Sequence, residues 1–245
     1  MKNKTTIAII GCDAPNEIVE RLSASGFYVL TIPKDERLPL PVRSHPDMLM
    51  FSVDNYVFCS EKYFKTASDY FNVLSEYGYT IIPCDVNISD NYPYDIAFNT
   101  VKCKNSLYGN TEFTAREIVN YVTSKGLDAV CVKQGYTKCS TALLGERAAI
   151  TADSGIAKAL KLNGVSVLKI RNSPDAVSLE GYDYGFIGGA CGCFESTVYF
   201  CGDIRLHPQG EEIVSFCRAA GFSVCCLSDK KLTDIGGILF FPYSK

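Results

Sequence analysis

The segment KQGYTKCS, residues 133–140, sets Cys139 directly after Lys138, with Lys133 and Tyr136 close by. A cation beside a thiol lowers its pKa and makes a nucleophilic thiolate, so Cys139 is the candidate nucleophile. Neighbours on a strand point to opposite faces, so Lys133 or another group would have to supply that help unless the backbone is irregular there. Tyr136 is a hydrogen-bond partner for a ligand or a weak acid; an aromatic at a strand entrance also serves plain packing. The simpler role for Cys139 is a buried thiol.

Carboxylates recur in a second pattern. Asp47 in HPDML, Asp95 in YDIAF, Asp183 in YDYGF and Asp234 in TDIGG each precede or open an apolar run, and Lys138 with Cys139 takes that place in a fifth. Singly, such aspartates cap turns. Jointly they would make a shared cavity electronegative and favour an ammonium or guanidinium ligand. His45 and Asn99 lie in the same segments as Asp47 and Asp95 and join the ligand-binding candidates. His207 precedes Pro208 at an expected helix start, where a surface role is the simpler one.

The elements that must position these residues repeat. Helix-like stretches run into Gly26, Gly78, Gly126, Gly164 and Gly221, and each glycine is followed at once by a short apolar strand, about every 49 residues. Such a glycine is a helix C-cap that turns the chain into the next strand. Upstream lie two further apolar runs per unit: 48–53 and 56–59, 95–102 and 106–109, 140–145 and 148–152, 184–193 and 197–201. Helices are expected over 15–25 and 61–77 and from about 114, 154 and 208. The unit is strand, strand, helix, strand. One unit is split: strand 6–10 opens the chain, and its missing first strand is GGILFF, 236–241. The expected fold is α/β, a closed fivefold β/α propeller of five ββαβ units forming one domain over 1–245.

Composition agrees with a compact domain: 245 residues, 47% apolar, net charge −3. That balance argues against nucleic acid as the main partner. The apolar run after MKNK ends at Gly11, too short for a signal sequence or a membrane span, so a cytoplasmic location is expected. The twelve cysteines are read mostly as buried strand thiols, among them Cys131, Cys201, Cys225 and Cys226. Cys191 and Cys193 would share a strand face, but no second thiol or histidine pair at finger-like spacing makes a metal site of them. GGACG, 188–192, opens no helix and reads as close backbone packing, and no cofactor is implied.

This organisation resembles the penteins, the guanidino-group-modifying superfamily of five-unit rings. Its members include dimethylarginine hydrolases, arginine deiminases, amidinotransferases and a non-catalytic ribosome anti-association factor. HPDMLMF (45–51), YDIAF (94–98), GYTKCSTALLGERAAITA (135–152) and DIGGILFF (234–241) resemble the segments that frame the family's central site, and KQGYTKCS with DYGFIGG resembles an uncharacterised bacterial branch. The resemblance implies a thiolate on the last inner strand and a histidine acid–base. Here Phe241 stands at or near the thiol's place, no cysteine follows Cys226, and Tyr136 stands at the histidine's. The expectation is an axial cavity that binds a small cationic or zwitterionic, amino-acid- or guanidino-like ligand without the standard chemistry, through His45, Asp47, Asp95, Asn99, Lys133, Lys138, Asp183 and Asp234. The alternatives are a hydrolase or transferase using Cys139 as a relocated nucleophile, supported by Tyr136, and a non-catalytic interaction module. Oligomeric state is left open.

Overall fold

A computed structural model describes residues 5–243; residues 1–4 and 244–245 of the expected domain lie outside the described residues. Five three-stranded sheets share one pattern, an antiparallel first pair and a parallel second pair. They comprise Met50–Val53, Tyr56–Ser60 and Thr80–Cys84; Val101–Cys103, Ser106–Gly109 and Asp128–Cys131; Thr141–Leu144, Ala148–Thr151 and Ser166–Lys169; and Cys191–Phe194, Thr197–Phe200 and Ser223–Cys226. The fifth joins the chain ends. Leu239–Phe241 pairs antiparallel with Ile7–Gly11, in register Ile7 to Phe241 and Ile9 to Leu239, and Ile7–Gly11 pairs parallel with Tyr28–Ile32. The sheets are separate and none closes on itself.

Each parallel pair is bridged by helix: Asn16–Ala24, Arg116–Ser124, Ser154–Leu162 and Gly210–Ala219, with two helices, Glu61–Thr66 and Ser68–Glu76, in the remaining unit. Their buried residues sit at i, i+4 spacing, as in Ile18 with Leu22 and Ile118 with Val122, so one stripe faces the sheets. The five unit glycines have φ between +68° and +99°, as the C-cap reading requires. The helix expected over 61–77 breaks at buried Ala67, with φ −107° and ψ 25°. The helices expected near 114 and 208 begin at Arg116 and Gly210.

The first strands are shorter than their apolar patterns suggested, because their leading residues form buried turns. Met48 and Leu49 belong to a short helix, Pro46–Leu49. Residues 95–100, 136–140 and 184–190 are turns, and the strand expected over 236–241 starts only at Leu239, after Gly236 and Gly237 in left-handed conformation. Every candidate site residue except Lys133 lies on or beside one of these turns or the short helix.

All twelve cysteines are free thiols. Cys201 is buried as expected, but Cys131 is exposed and Cys225 and Cys226 are half-buried, because they lie on outer strands whose far faces no further layer covers. His207 is buried, not on the surface: its Nδ1 accepts from the Gln209 N–H at 3.0 Å, so the ring caps the turn leading to Gly210–Ala219. Among the described residues no helix is long and apolar enough to cross a membrane.

Candidate functional site

The side chain that gathers the site is Asn99, fully buried in the turn before Val101–Cys103. Its Oδ1 accepts from the backbone N–H of Lys138 (2.7 Å) and Cys139 (3.2 Å). Its Nδ2 lies 3.1 Å from the Asp47 carbonyl oxygen, 3.0 Å from Cys139 Sγ and 3.2 Å from Met48 Sδ. One carboxamide therefore ties the Pro46–Leu49 helix to the turn that carries Cys139. The Cys139 thiol donates to Asp47 Oδ2 at 3.0 Å.

Glycines supply the close approach. Gly189 N–H donates to the Cys139 carbonyl, while its own carbonyl accepts from Ile235 and Gly237. A Cβ at Gly189 would lie 2.0 Å from Asp234 Oδ1, so only glycine lets these three turns meet. Close backbone packing is thus the role of GGACG, although the strand itself begins only at Cys191. Gly236 likewise backs His45, whose Cβ is 2.4 Å from where a Gly236 Cβ would stand.

A cavity of about 240 Å³ opens over Cys139. Its polar wall is His45, Cys139, Asp183 and Asp234; its aromatic wall is Tyr136, Tyr182, Tyr184 and Phe186. Asp234 is held by two backbone donors, Phe186 N–H at 2.9 Å and Gly236 N–H at 3.0 Å. Its nearest titratable cation is His45, Nδ1 to Oδ1 3.7 Å, beyond hydrogen-bonding distance. Burial outweighs the Asp234 charge and holds the His45 pKa below its ordinary value, so the imidazole is neutral at pH 7. Asp234, its side chain 1% exposed, therefore lines the cavity without a fixed positive partner among the described residues.

The other sequence candidates divide. Asp47 does not line this cavity: it lies behind Cys139, 1% exposed, and burial pushes its pKa up to about 7 against the opposing pull of Lys138. Asp95 is also behind the wall, its Oδ2 accepting from the Tyr136 hydroxyl at 2.6 Å, and burial raises its pKa. Asp183 sits exposed at the rim. Lys138 points the other way from Cys139, toward cavities on the far side of Asp47. Lys133 is exposed beside Cys131, Asp153 and Lys158 in a separate groove, remote from the thiol it was expected to activate.

No lysine lowers the Cys139 pKa. Burial, then the Asp47 and Asp234 charges, push it well above its ordinary value, with only the Asn99 contact opposing, so the resting form is the thiol. Phe241 is buried in the last strand, its ring edge-on to Tyr79 at 5.0 Å. The aromatic wall was missed as a site feature. Its signal, three rings within YDYGF immediately before an inner strand, was present beside Asp183.

Residues 9–239 match the family described as "Family of unknown function (DUF6873)". The chain belongs to that family. Among curated proteins none matches. Among solved structures, a DDAH from Pseudomonas aeruginosa complexed with citrulline is similar at TM-score 0.58, with 12% identity over 97% of each chain. SxtG, an amidinotransferase from Microseira wollei in the saxitoxin biosynthetic pathway, gives TM-score 0.61 at 11% identity, over 99% of this chain and 96% of that one. An agmatine deiminase from C. jejuni gives 0.58 at 6% identity, over 99% and 94%. These proteins share the pentein fold, and this DUF6873 chain has it too.

Proposed function

We propose that this DUF6873 protein binds a small cationic ligand, guanidino- or amino-acid-like, in the cavity over Cys139, without thiolate–histidine chemistry. One observation carries the reading: Asp234 lines a cavity walled by four aromatic rings, and its carboxylate is offered no fixed cation. A ligand cation would gain a charge-assisted hydrogen bond and aromatic faces at once. Tyr136 and Phe241, which the pentein resemblance sets at or near the histidine and thiol places, supply neither a base of ordinary pKa nor a thiol. The same reading takes 1–245 as one domain whose five units close about an axis as a propeller. It places the protein in the cytoplasm, where twelve unpaired thiols persist.

The test is calorimetry and thermal shift with L-arginine, agmatine and guanidinium, and with citrulline as a neutral counterpart. We expect the cations to bind and Asp234→Asn to weaken them at least about tenfold. Absence of binding by every cation, or affinity unchanged in Asp234→Asn, refutes the reading.

A second reading has its own support, since Cys139 lines this cavity and its thiol hydrogen-bonds a carboxyl group that titrates near neutrality. Asp47, in its ionised form, would then take the thiol proton as the sulfur adds to the C=N carbon of an amidine, the π electrons passing to the amidine nitrogen, which takes up a proton. A covalent adduct on Cys139, trapped with an amidine and lost in Asp47→Asn, is its signature.

A further inference from the structure

On the far side of Asp47 from Cys139 lies a second cavity, of about 270 Å³. It adjoins a third of about 300 Å³, with which it shares Ser52, Lys138, Leu143 and Leu239. Three polar groups on residues that line the second cavity have unfilled bonding capacity, two of them oxygens buried just behind its surface. Asp47 Oδ1 has no hydrogen-bond partner although Oδ2 on the same carboxyl group has the Cys139 thiol. Thr100 Oγ1, in a side chain 2% exposed, has none either. Lys138 Nζ reaches only the Gly188 carbonyl, at 3.3 Å, and among the described residues no carboxylate lies within 4.0 Å of it. The remaining wall is apolar, including Phe51, Val53, Phe98 and Leu239.

A buried acceptor and a part-buried ammonium on the wall of one space without bonding each other are expensive to leave so. A simple anion at Lys138 would meet Asp47, and a simple cation at Asp47 would meet Lys138. A zwitterion answers both, its carboxylate to Lys138 and its ammonium to Asp47, with the Thr100 hydroxyl bonding either end. A small apolar side chain would lie against Phe98 and Leu239.

We propose that this second cavity is a binding site for a small neutral α-amino acid, separate from the cavity over Cys139 and divided from it by the Asp47 carboxyl group. Its ligand class follows from the Asp47–Lys138 pair and not from Asp234 or the aromatic wall, so it stands or falls independently of the function proposed above.

The experiment uses the full chain with glycine, L-alanine and L-serine as probes, followed by ligand-observed NMR and calorimetry. Propionate and ethylamine serve as the single-charge counterparts of alanine. At least one amino acid is expected to bind, with both counterparts weaker by about tenfold or more. Lys138→Met and the near-isosteric Thr100→Val should each weaken the amino acid, Lys138→Met by at least about tenfold, while Asp234→Asn should leave it unchanged. If Lys138→Met does not fold, Thr100→Val together with the counterpart series decides. The proposal is overturned if none of the three amino acids binds, meaning that water alone fills the space. It is also overturned if propionate or ethylamine binds as well as alanine, or if binding survives Lys138→Met and Thr100→Val or is lost only in Asp234→Asn.

Discussion

Cys139 Sγ lies 3.0 Å from Asp47 Oδ2, and both residues are almost wholly buried. Burial and the Asp47 charge keep Cys139 a thiol, because a thiolate and a carboxylate at this distance would repel without solvent to screen them, whereas Asp47 is raised by its own burial and pulled back down by the hydrogen bond it accepts from the thiol. The pair therefore behaves as a resting thiol beside a carboxyl group that titrates near neutrality, in contrast to a thiolate–imidazolium couple.

Alkylation should report this directly. At pH 7 the exposed Cys12 and Cys131 are expected to react with iodoacetamide well before Cys139, whose pKa is raised by burial and by Asp47. Replacing Asp47 with Asn removes the repelling charge and should speed modification of Cys139 relative to wild type. Peptide mass spectrometry over a time course checks it; slower labelling of Cys139 in Asp47→Asn would instead make Asp47 an activating base.

Asp47 also sets a pH dependence. Its folded pKa of about 7 exceeds the ordinary 3.8, so the folded state binds the proton more tightly. Stability from this group is full at low pH and falls as pH rises between about 4 and 7, by on the order of 4 kcal/mol at most. His45, lowered by burial, works in the opposite direction, adding stability as pH rises toward 6.5. Comparing wild type with Asp47→Asn isolates the carboxyl: the variant should gain on wild type steadily from about pH 4 to about pH 7.5 in thermal melts. A gap that is flat with pH would refute it.

The fold was legible where the sequence pattern is tied to backbone geometry. Gly26 and its four counterparts mark helix ends because a left-handed residue is needed there, and GGILFF could be paired with the first strand because the opening unit lacked one. The turns over 95–100 and 184–190 were read as strand because a buried turn is as apolar as a buried strand. In the site, Cys139, Asp234, Tyr136 and His45 do share a cavity. The placement of Asp47 was not readable, since which side of the thiol a carboxyl takes is fixed by Asn99 and Gly236 from distant turns. Lys133 was misjudged because the chain turns sharply between it and Lys138, and five residues of separation carry it to another groove.

Asn99 should be the most sensitive position in the site for stability. Asn99→Leu keeps the volume but strips the acceptor from the Lys138 and Cys139 N–H groups, one donor part-buried and one buried. At about 1–3 kcal/mol for each stranded donor, a loss on the order of 2–5 kcal/mol is expected. Urea denaturation measures it, and a change under about 1 kcal/mol would mean the turn finds other partners.

Tyr136→Phe probes whether this tyrosine serves the ligand or the protein. Its hydroxyl donates to Asp95 Oδ2 at 2.6 Å, and Asp95 Oδ1 has no partner, so Phe leaves a buried carboxyl without a side-chain donor. The Asp95 pKa, already raised by burial, should rise further, because the Tyr136 bond is the largest influence lowering it. An acid with a raised folded pKa loses stability as pH climbs from its unfolded value, so the deficit of Tyr136→Phe should be small near about pH 4. It should grow to about 1–3 kcal/mol near neutrality. Cation affinity in the cavity should fall far less than in Asp234→Asn, since the phenyl ring of the variant still presents its face. Melts at several pH values, with calorimetry on the same samples, separate the two roles. A pH-independent deficit would show that Asp95 is not what the hydroxyl supports, and a loss of cation binding equal to that of Asp234→Asn would make Tyr136 a direct ligand contact.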